Sequence, residues 1–215
     1  MVGNDVVDLR DRESDPSTLH PGFDARVFAS RELESIERAS DSNRQRWRLW
    51  SAKEAAYKML RKLDASVAFS PVKFSVDLDS QGSGWVRFSS WRVPVRVAET
   101  TDAIHALAFE DDRSSAGLTH GLLRMTEPCP DPSSLSRAAR QLAITQIAKE
   151  FGFDSTELEI RRASRIPYLM RAGQRAGLDL SLSHHGQCVG FACTPSVLAE
   201  ANEALPIFEA ADSLA

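Results

Sequence analysis

Two charged residues in one predicted helix have the types and the spacing for acid–base or electrostatic chemistry. The stretch "WRLWSAKEAAYKML", residues 47–60, is typical of a helix, and a rotation of about 100° per residue puts Glu54 and Lys58 on one face with Trp47 and Trp50. Aromatic rings beside a carboxylate and an amine would exclude water and strengthen any interaction with a charged ligand. The alternative is an ordinary i, i+4 ion pair, worth about 0.2–0.5 kcal/mol.

Three further groups of polar residues are candidates for the same chemistry. Asp5 stands at the start of a predicted strand, where it is either a turn residue or a ligand. "LSLSHHG" ends another predicted strand with Ser183 and His184, which would contact a phosphate or simply stabilise a turn. The chain lacks the glycine-rich phosphate loops and the G-x-S-x-G elbow, so a phosphate site would be built from side chains. Arginine is the natural partner of phosphate oxygens, and the candidates are Arg137, Arg140, Arg161, Arg162 and Arg165.

The composition limits the class of protein. The 215 residues are 42% hydrophobic and 26% charged with a formal net charge of -4, which is typical of globular proteins and indicates neither nucleic-acid nor membrane binding. No stretch reaches the roughly 20 apolar residues of a membrane span, and "MVGNDVVDL" is not typical of a signal peptide. Cys129, Cys188 and Cys193 match no metal motif and are expected to be reduced thiols. We therefore expect a cytoplasmic protein.

The elements that must position these residues fall into two similar halves. Residues 47–63 are predicted to form a long helix, followed by antiparallel strands in "SVAFSPVKFSVDL", "GWVRFSS", "WRVPVRVAE" and "AIHALAF". A second helix in "SLSRAARQLAITQIAKEFGF" is followed by the strands "ELEIRRA", "LDLSLSH" and "CVGFAC". This predicts an α+β fold of two pseudo-symmetric halves, residues 1–112 and 113–215, each a long helix packed on a small, mostly antiparallel sheet. One cleft is expected between the halves.

Three short motifs resemble the signatures of the 4'-phosphopantetheinyl transferase superfamily. "GNDVVDL" is similar to its G-[IV]-D-[IV] motif, "WSAKEAAYK" matches W-x-x-K-E-A-x-x-K nearly letter for letter, and "LSLSHHG" is similar to S-x-S-H. The resemblance extends from Gly3 to about Cys193. The motif order is that of the short holo-acyl-carrier-protein-synthase type, and the length is that of the larger surfactin type. We interpret this as the larger type with its two halves in swapped order.

The resemblance implies an activity and a role for each motif. Members of this family transfer the 4'-phosphopantetheine group of coenzyme A to a serine of an apo acyl or peptidyl carrier protein. They require Mg²⁺ and release adenosine 3',5'-bisphosphate. Asp5 and Glu54 would then bind the metal, and Glu54 and Lys58 would be the catalytic residues. Ser183 and His184 would hold phosphates of coenzyme A.

Two departures from the family pattern affect the predicted ligand sites. Pro167 matches the proline of a G-[KR]-P element beside the adenine, but Arg165 and Ile166 replace its first two residues. Arg165 or Arg137 is therefore expected to compensate. Val7 stands where the larger type has a further metal-binding glutamate, which leaves two carboxylates for Mg²⁺ together with waters and phosphate oxygens. A degenerate homologue that binds coenzyme A or a carrier domain without catalysis is the alternative.

The partner implied by the resemblance is an acidic carrier protein, so basic residues are expected around the cleft. Five residues in or beside the first long helix would form such a surface, or would simply keep the helix soluble: Arg44, Arg46, Arg48, Arg61 and Lys62. Because the two halves of one chain would supply both sides of the cleft, we expect a monomer.

Overall fold

The structure is a computed structural model that describes residues 1–111, 117–127 and 131–196. Within these ranges there are four α-helices: α1 (Phe23–Val27), α2 (Ser30–Arg38), α3 (Ser42–Leu63) and α4 (Pro132–Phe151). The same ranges contain ten strands: β1 (Val2–Asp8), β2 (Ser75–Leu78), β3 (Ser83–Phe88), β4 (Trp91–Glu99), β5 (Ala103–Phe109), β6 (Thr119–Arg124), β7 (Leu158–Ala163), β8 (Ile166–Arg171), β9 (Gln174–His185) and β10 (Cys188–Pro195).

Two five-stranded antiparallel sheets share one strand order, which confirms the predicted α+β fold with two similar halves. The first sheet runs β1-β5-β4-β3-β2 and the second runs β6-β10-β9-β8-β7, so in each sheet the first strand pairs with the last. One long helix packs on each sheet, α3 on the first and α4 on the second. The boundary between residues 112 and 113 lies outside the described residues and stays a prediction.

Two stretches differ from the strand predictions, and a proline lies in each. Of "SVAFSPVKFSVDL" only Ser75–Leu78 forms a strand. Pro71 has no backbone N–H to donate to a sheet, and it begins the 3-10 turn Pro71–Lys73 instead. No strand is predicted for "RIPYLMR", yet it forms β8 and pairs with β7 and β9. Proline is a poor strand residue, so Pro167 weakens the strand signal of this segment.

Helix α3 begins earlier than the predicted start at Trp47. Asp41 caps the helix, since its carboxylate accepts the backbone N–H of Arg44 at 2.8 Å. The apolar face lies in the main core, with these residues buried: Leu49, Ala52, Ala55, Ala56, Met59 and Leu60. Burial of this face fixes the rotation of the helix, and with it the direction of the polar face that carries Glu54 and Lys58.

Gly3 sets how closely β1 approaches α3. A Cβ atom at Gly3 would collide with the carbonyl oxygen of Ala55 and would lie 2.8 Å from the backbone nitrogen of Met59. Both are helix backbone atoms, so the strand or the whole helix would have to move. We expect Gly3→Ala to lower the free energy of unfolding by roughly 2–3 kcal/mol, measured by denaturant unfolding.

Gly22→Ala is the matched control, because its added methyl group would meet only the imidazole of His20, at 3.4 Å. This variant is expected to unfold at nearly the same denaturant concentration as the wild type. Equal effects of the two substitutions would contradict the assignment of a special close approach at Gly3.

The edge of β1 that does not pair with β5 is covered by side chains of β9. Three backbone N–H groups of β1 donate to them: Val2 to the Asp179 carboxylate at 2.7 Å, Asn4 to the Ser181 hydroxyl at 3.0 Å, and Asp8 to Nδ1 of His185 at 3.1 Å. Lys62 of α3 donates to Asp179 and to the carbonyls of Val2 and Leu180. Side chains therefore join the two halves along this edge and satisfy three of its backbone donors.

Two of the three cysteines are described, and both are buried free thiols on β10. Burial raises the pKa of Cys188 and of Cys193 to about 12, so neither thiol is reactive near neutral pH. Cys129 lies outside the described residues. No helix in the described ranges combines the length and the hydropathy that crossing a membrane requires.

Candidate functional site

Asp5 and Lys58 meet where β1 lies against α3. The Lys58 Nζ atom donates to Oδ1 of Asp5 at 2.7 Å, and the two side chains are 29% and 12% exposed respectively. Burial alone would lower the pKa of Lys58, but the negative charges of Asp5 and Glu54 outweigh it and raise the pKa above its usual value. The amine is therefore charged at neutral pH and is fixed beside a carboxylate.

Glu54 lies one helical turn before Lys58 and close enough to Asp5 for the two carboxylates to repel each other. Burial, and then the charge of Asp5, raise the pKa of Glu54 to about 7, while Lys58 opposes the shift. A pair of adjacent carboxylates is an oxygen donor set that fits Mg²⁺, and a divalent ion would remove the repulsion. Val7 is 1% exposed within the main core, so its position offers no further ligand.

The raised pKa of Glu54 predicts a pH-dependent cost in stability. The folded protein favours the neutral carboxyl of Glu54, so protonation of Glu54 stabilises the fold. This stabilisation is fully present below the unfolded pKa of 4.5 and is lost as the pH rises through the folded pKa of about 7. Glu54→Gln should therefore be more stable than the wild type at pH 8, by roughly 1–3 kcal/mol, with the difference disappearing near pH 4.

Thermal and denaturant unfolding across this pH range would measure the effect of Glu54→Gln. Glu150→Gln is the control, because Glu150 is an exposed glutamate on α4. If Glu54→Gln and Glu150→Gln behaved alike from pH 4 to pH 8, Glu54 would not be a strained carboxylate.

The two tryptophans differ in what they cover. Trp47 is 5% exposed, and its Nε1–H donates to the carbonyl of Ser14 at 3.0 Å, so it lies in the core under the loop that follows β1. Trp50 is half-buried and packs on Phe23 and Phe69, with ring centroids 5.8 and 5.7 Å away. Of the two, Trp50 is the ring that reaches the surface one turn before Glu54.

The two polar residues that end the S-x-S-H motif point to opposite sides of β9. Ser183 is buried, and its hydroxyl accepts a hydrogen bond from Nδ2 of Asn4 at 2.7 Å, so it faces the junction with β1. His184 is exposed, and partial burial followed by the charges of Lys58 and Arg162 lowers its pKa. Of these two residues, His184 is therefore the one whose charge state is affected by Lys58. The predicted phosphate contact of Ser183 stays a prediction.

Arginines without carboxylate partners gather where β7 meets α4. Arg162 of β7 donates to the hydroxyl of Ser136 at 3.1 Å, which links the strand to the first turns of α4 beside Arg137. Arg137 donates only to serine hydroxyls of its own helix, and Arg140 lies one turn further on. Arg165 lies in the β7–β8 turn with a φ of 71°. Within the described ranges, none of these four arginines forms an ion pair.

Pro167 lines a cavity of about 650 Å³ between α3 and the β8–β9 hairpin. The ring of Tyr168 forms part of its wall, with the guanidinium of Arg175 stacked 4.5 Å from the ring centroid. Lys62, one turn after Lys58, and its partner Asp179 also line the cavity. The cavity therefore meets α3 at Lys62, one turn beyond Lys58.

The predicted basic surface is largely neutralised by ion pairs. Arg44 pairs with Asp41 at 3.5 Å and with Glu99 at 3.3 Å, and Arg48 pairs with Glu99 at 2.9 Å. Arg46 pairs with Asp24 at 2.7 Å, and Lys62 pairs with Asp179 at 2.8 Å. Arg61 is the exception in the described structure, since it donates to the hydroxyl of Tyr57 at 3.3 Å and has no carboxylate partner. Four of the five predicted docking cations thus have carboxylate partners in the described structure.

Lys53 is a structural residue for which no role is predicted from the sequence. It is fully buried, and its Nζ atom donates to Glu32 Oε2 at 2.7 Å and to the carbonyls of Val27 and Pro71. It therefore ties α3 to α1, to α2 and to the turn before β2. The signal that could have identified Lys53 is its position on the helix. A residue next to Glu54 lies about 100° further around α3, so its side chain points in a different direction.

A second group of metal-binding residue types shares no member with the predicted metal pair. Ligand atoms of Asp11, Glu13 and His185 lie within 4.8 Å of one another. Nδ1 of His185 accepts the N–H of Asp8, so the neutral ring carries its proton on Nε2, which faces Glu13 at 3.7 Å. A metal at Nε2 would have to displace that proton, so we do not assign a metal site here.

Comparisons with known proteins add a family assignment to this geometry. A comparison with curated protein sequences finds no match. The crystal structure of holo-[acyl-carrier-protein] synthase (AcpS) from Neisseria meningitidis is similar at 16% sequence identity, with 50% of this chain and 94% of that chain covered and a TM-score of 0.39. The family model of the 4'-phosphopantetheinyl transferase superfamily matches residues 1–110, which include Asp5, Glu54 and Lys58. On this match the chain belongs to the 4'-phosphopantetheinyl transferase superfamily.

Proposed function

We propose that the protein transfers the 4'-phosphopantetheine group of coenzyme A to a serine of an apo acyl or peptidyl carrier protein, as a cytoplasmic monomer. The reaction would require Mg²⁺ and release adenosine 3',5'-bisphosphate. The observation that carries the proposal is the meeting of Asp5, Glu54 and Lys58 in one partly buried cluster. Family membership supports phosphopantetheine transfer in general, and this cluster supports the assignment of roles.

Each residue of the cluster has a role that follows from its charge. Asp5 and Glu54 would hold Mg²⁺, which when bound supplies positive charge to the diphosphate oxygens of coenzyme A. The Lys58 ammonium, charged and held 2.7 Å from Asp5, stabilises the negative charge that develops on the departing bisphosphate. The charges of Lys58 and Arg162 both act on His184, so these three groups are proposed to meet the phosphates of coenzyme A.

The transfer step requires one base and one leaving group. The serine oxygen of the carrier bonds to the phosphorus that bears pantetheine, and the bond from that phosphorus to the bridging oxygen of the bisphosphate breaks. The serine proton would pass to Glu54, the carboxylate that lies one helical turn before Lys58. The bisphosphate leaves with the electron pair of the broken bond, next to Lys58.

The rest of coenzyme A would be held by groups of the second half. Pro167 would lie beside the adenine, in the cavity that it lines with Tyr168. Arg137, Arg162 and Arg165 are the arginines proposed for the 3'-phosphate in place of the missing G-[KR]-P lysine, because guanidinium groups without carboxylate partners suit phosphate. Ser183 stays a proposed phosphate contact, since its hydroxyl accepts from Asn4 and keeps its own proton to donate.

Mass spectrometry of a carrier protein tests the proposal. The protein is incubated with coenzyme A, Mg²⁺ and an apo acyl carrier protein or apo peptidyl carrier domain, and the carrier is expected to gain one phosphopantetheine. A gain that EDTA abolishes supports the proposed reaction. Stabilisation of the protein by coenzyme A without any gain in carrier mass would overturn it in favour of a binding protein without catalysis.

A further inference from the structure

The surface strip of α3 that contains Glu54 continues into a group of aromatic and apolar side chains. We call this group the aromatic flank and define it by Phe23, Trp50, Tyr57, Phe69 and Val72. Phe69 is central, since its ring centroid lies 5.7 Å from that of Trp50 and 4.9 Å from that of Tyr57. Val72 lies in the turn Pro71–Lys73, which contacts α1 and α3, and it is 43% exposed.

The aromatic flank is bordered by cations that have no carboxylate partners. Arg61 lies over the ring of Tyr57, with its guanidinium carbon 5.9 Å from the centroid. Arg26 of α1 and Lys73 beside Val72 are exposed, and the described structure contains no ion pair for either. The one carboxylate of α1 is Asp24, which is already paired with Arg46. The border of the flank therefore carries uncompensated positive charge.

The two sides of the catalytic cluster differ in chemistry. On one side lies β9, which carries His184 and is joined to α3 by the hydrogen bond from Lys62 to Asp179, and this polar side suits phosphate groups. On the other side lies the aromatic flank, which offers rings and an exposed valine and has its cations only at the border. An apolar centre with a charged rim is the composition of a protein-binding surface. The flank suits a partner whose apolar side chains are surrounded by acidic ones.

We propose that the aromatic flank, with Arg26, Arg61 and Lys73, is the docking surface for the apo carrier protein and contacts an acidic, amphipathic segment of it. This inference rests on the proposed function, because the serine substrate must reach Glu54 and its carrier must then cover a neighbouring surface. Trp50 and Tyr57 are within one turn of Glu54 on the same helix, so a partner seated on them reaches the catalytic cluster. Arg44, Arg46, Arg48 and Lys62 are excluded, since their charges are already compensated.

Steady-state kinetics of surface variants test this docking surface. The variants are Arg61→Glu, Val72→Glu and Lys73→Glu, and the control is Arg87→Glu, an exposed arginine of β3. The substrates are coenzyme A and one recombinant apo acyl carrier protein in the presence of Mg²⁺. Each flank variant is expected to raise KM for the carrier about tenfold and to leave KM for coenzyme A and kcat at saturating carrier within about twofold. Arg87→Glu is expected to leave all three parameters unchanged.

Thermal unfolding of each variant shows that it is folded, which is expected because all substituted side chains except Arg61 are exposed. Higher salt should raise KM for the carrier more in the wild type than in Arg61→Glu. If the wild type transfers phosphopantetheine and the flank variants keep a wild-type KM for the carrier, the docking surface is wrong and the proposed function stands. If the wild type transfers nothing to any apo carrier, the proposed function is wrong and this inference falls with it.

Discussion

Replacing Lys58 with alanine is expected to reduce phosphopantetheine transfer by about 10²–10³-fold, because one preorganised charge next to the departing phosphate is lost. Glu54→Gln is expected to cost at least as much, since one substitution removes both a metal ligand and the base. The reaction with apo carrier protein, followed by mass, measures both. Lys58→Ala should lower kcat more than it changes KM for the carrier, because the lost interaction forms in the transition state.

Lys149→Ala is the matched control for Lys58→Ala, since Lys149 is an exposed helical lysine on α4. It should retain wild-type transfer. Lys58→Ala must remain folded for the comparison to hold, and Lys58 is 29% exposed, so its removal opens no cavity in the core. Wild-type transfer rates in folded Lys58→Ala or in folded Glu54→Gln would remove the site assignment.

Replacing Lys53 with methionine is expected to be the most destabilising single substitution among those discussed. It would leave the carboxylate of Glu32, which is 3% exposed, without its cation, and removing one member of a buried ion pair costs about 3–5 kcal/mol. Burial lowers the pKa of Lys53, and the charge of Glu32 opposes this shift. Differential scanning calorimetry should show a fall in Tm of about 10 °C.

Lys149→Met is the control for Lys53→Met, because the same substitution at an exposed helical position should change stability by less than about 0.5 kcal/mol. Arg38→Met in α2, where Arg38 pairs with the exposed Glu34, should also be nearly neutral. A Tm for Lys53→Met within about 2 °C of the wild type would contradict the structural role given to Lys53.

What the sequence predicts well is local. The i, i+3 and i, i+4 pattern of "WSAKEAAYKML" determines the helix and its buried face, so the direction of Glu54 and Lys58 follows from the chain itself. Asp5 is predicted beside them only through the resemblance, because no local pattern shows which strand lies against which helix. A long helix followed by several strands occurs twice along the sequence, which predicts two similar halves. The two sheets confirm this prediction, since they share one strand order.

The sequence does not predict side-chain directions or ion pairs that depend on residues distant along the chain. The direction of Ser183 depends on which face of β9 meets β1, and alternation alone does not choose between the faces. The partners of Arg46 and Lys62 are Asp24 and Asp179, one of them more than a hundred residues away. A basic run in the sequence therefore resembles a docking surface until the tertiary structure pairs its charges.

The side-chain covering of β1 has a consequence for any fragment of the chain. A fragment that ended after β5 would lose Asp179, Ser181 and His185, so the outer edge of the strand that carries Asp5 would present bare N–H donors to solvent. Bare strand edges recruit other strands, so such a fragment should self-associate through this edge. An independent copy of the first half would then depend on a neighbouring subunit for the side chains that the second half supplies here within one chain.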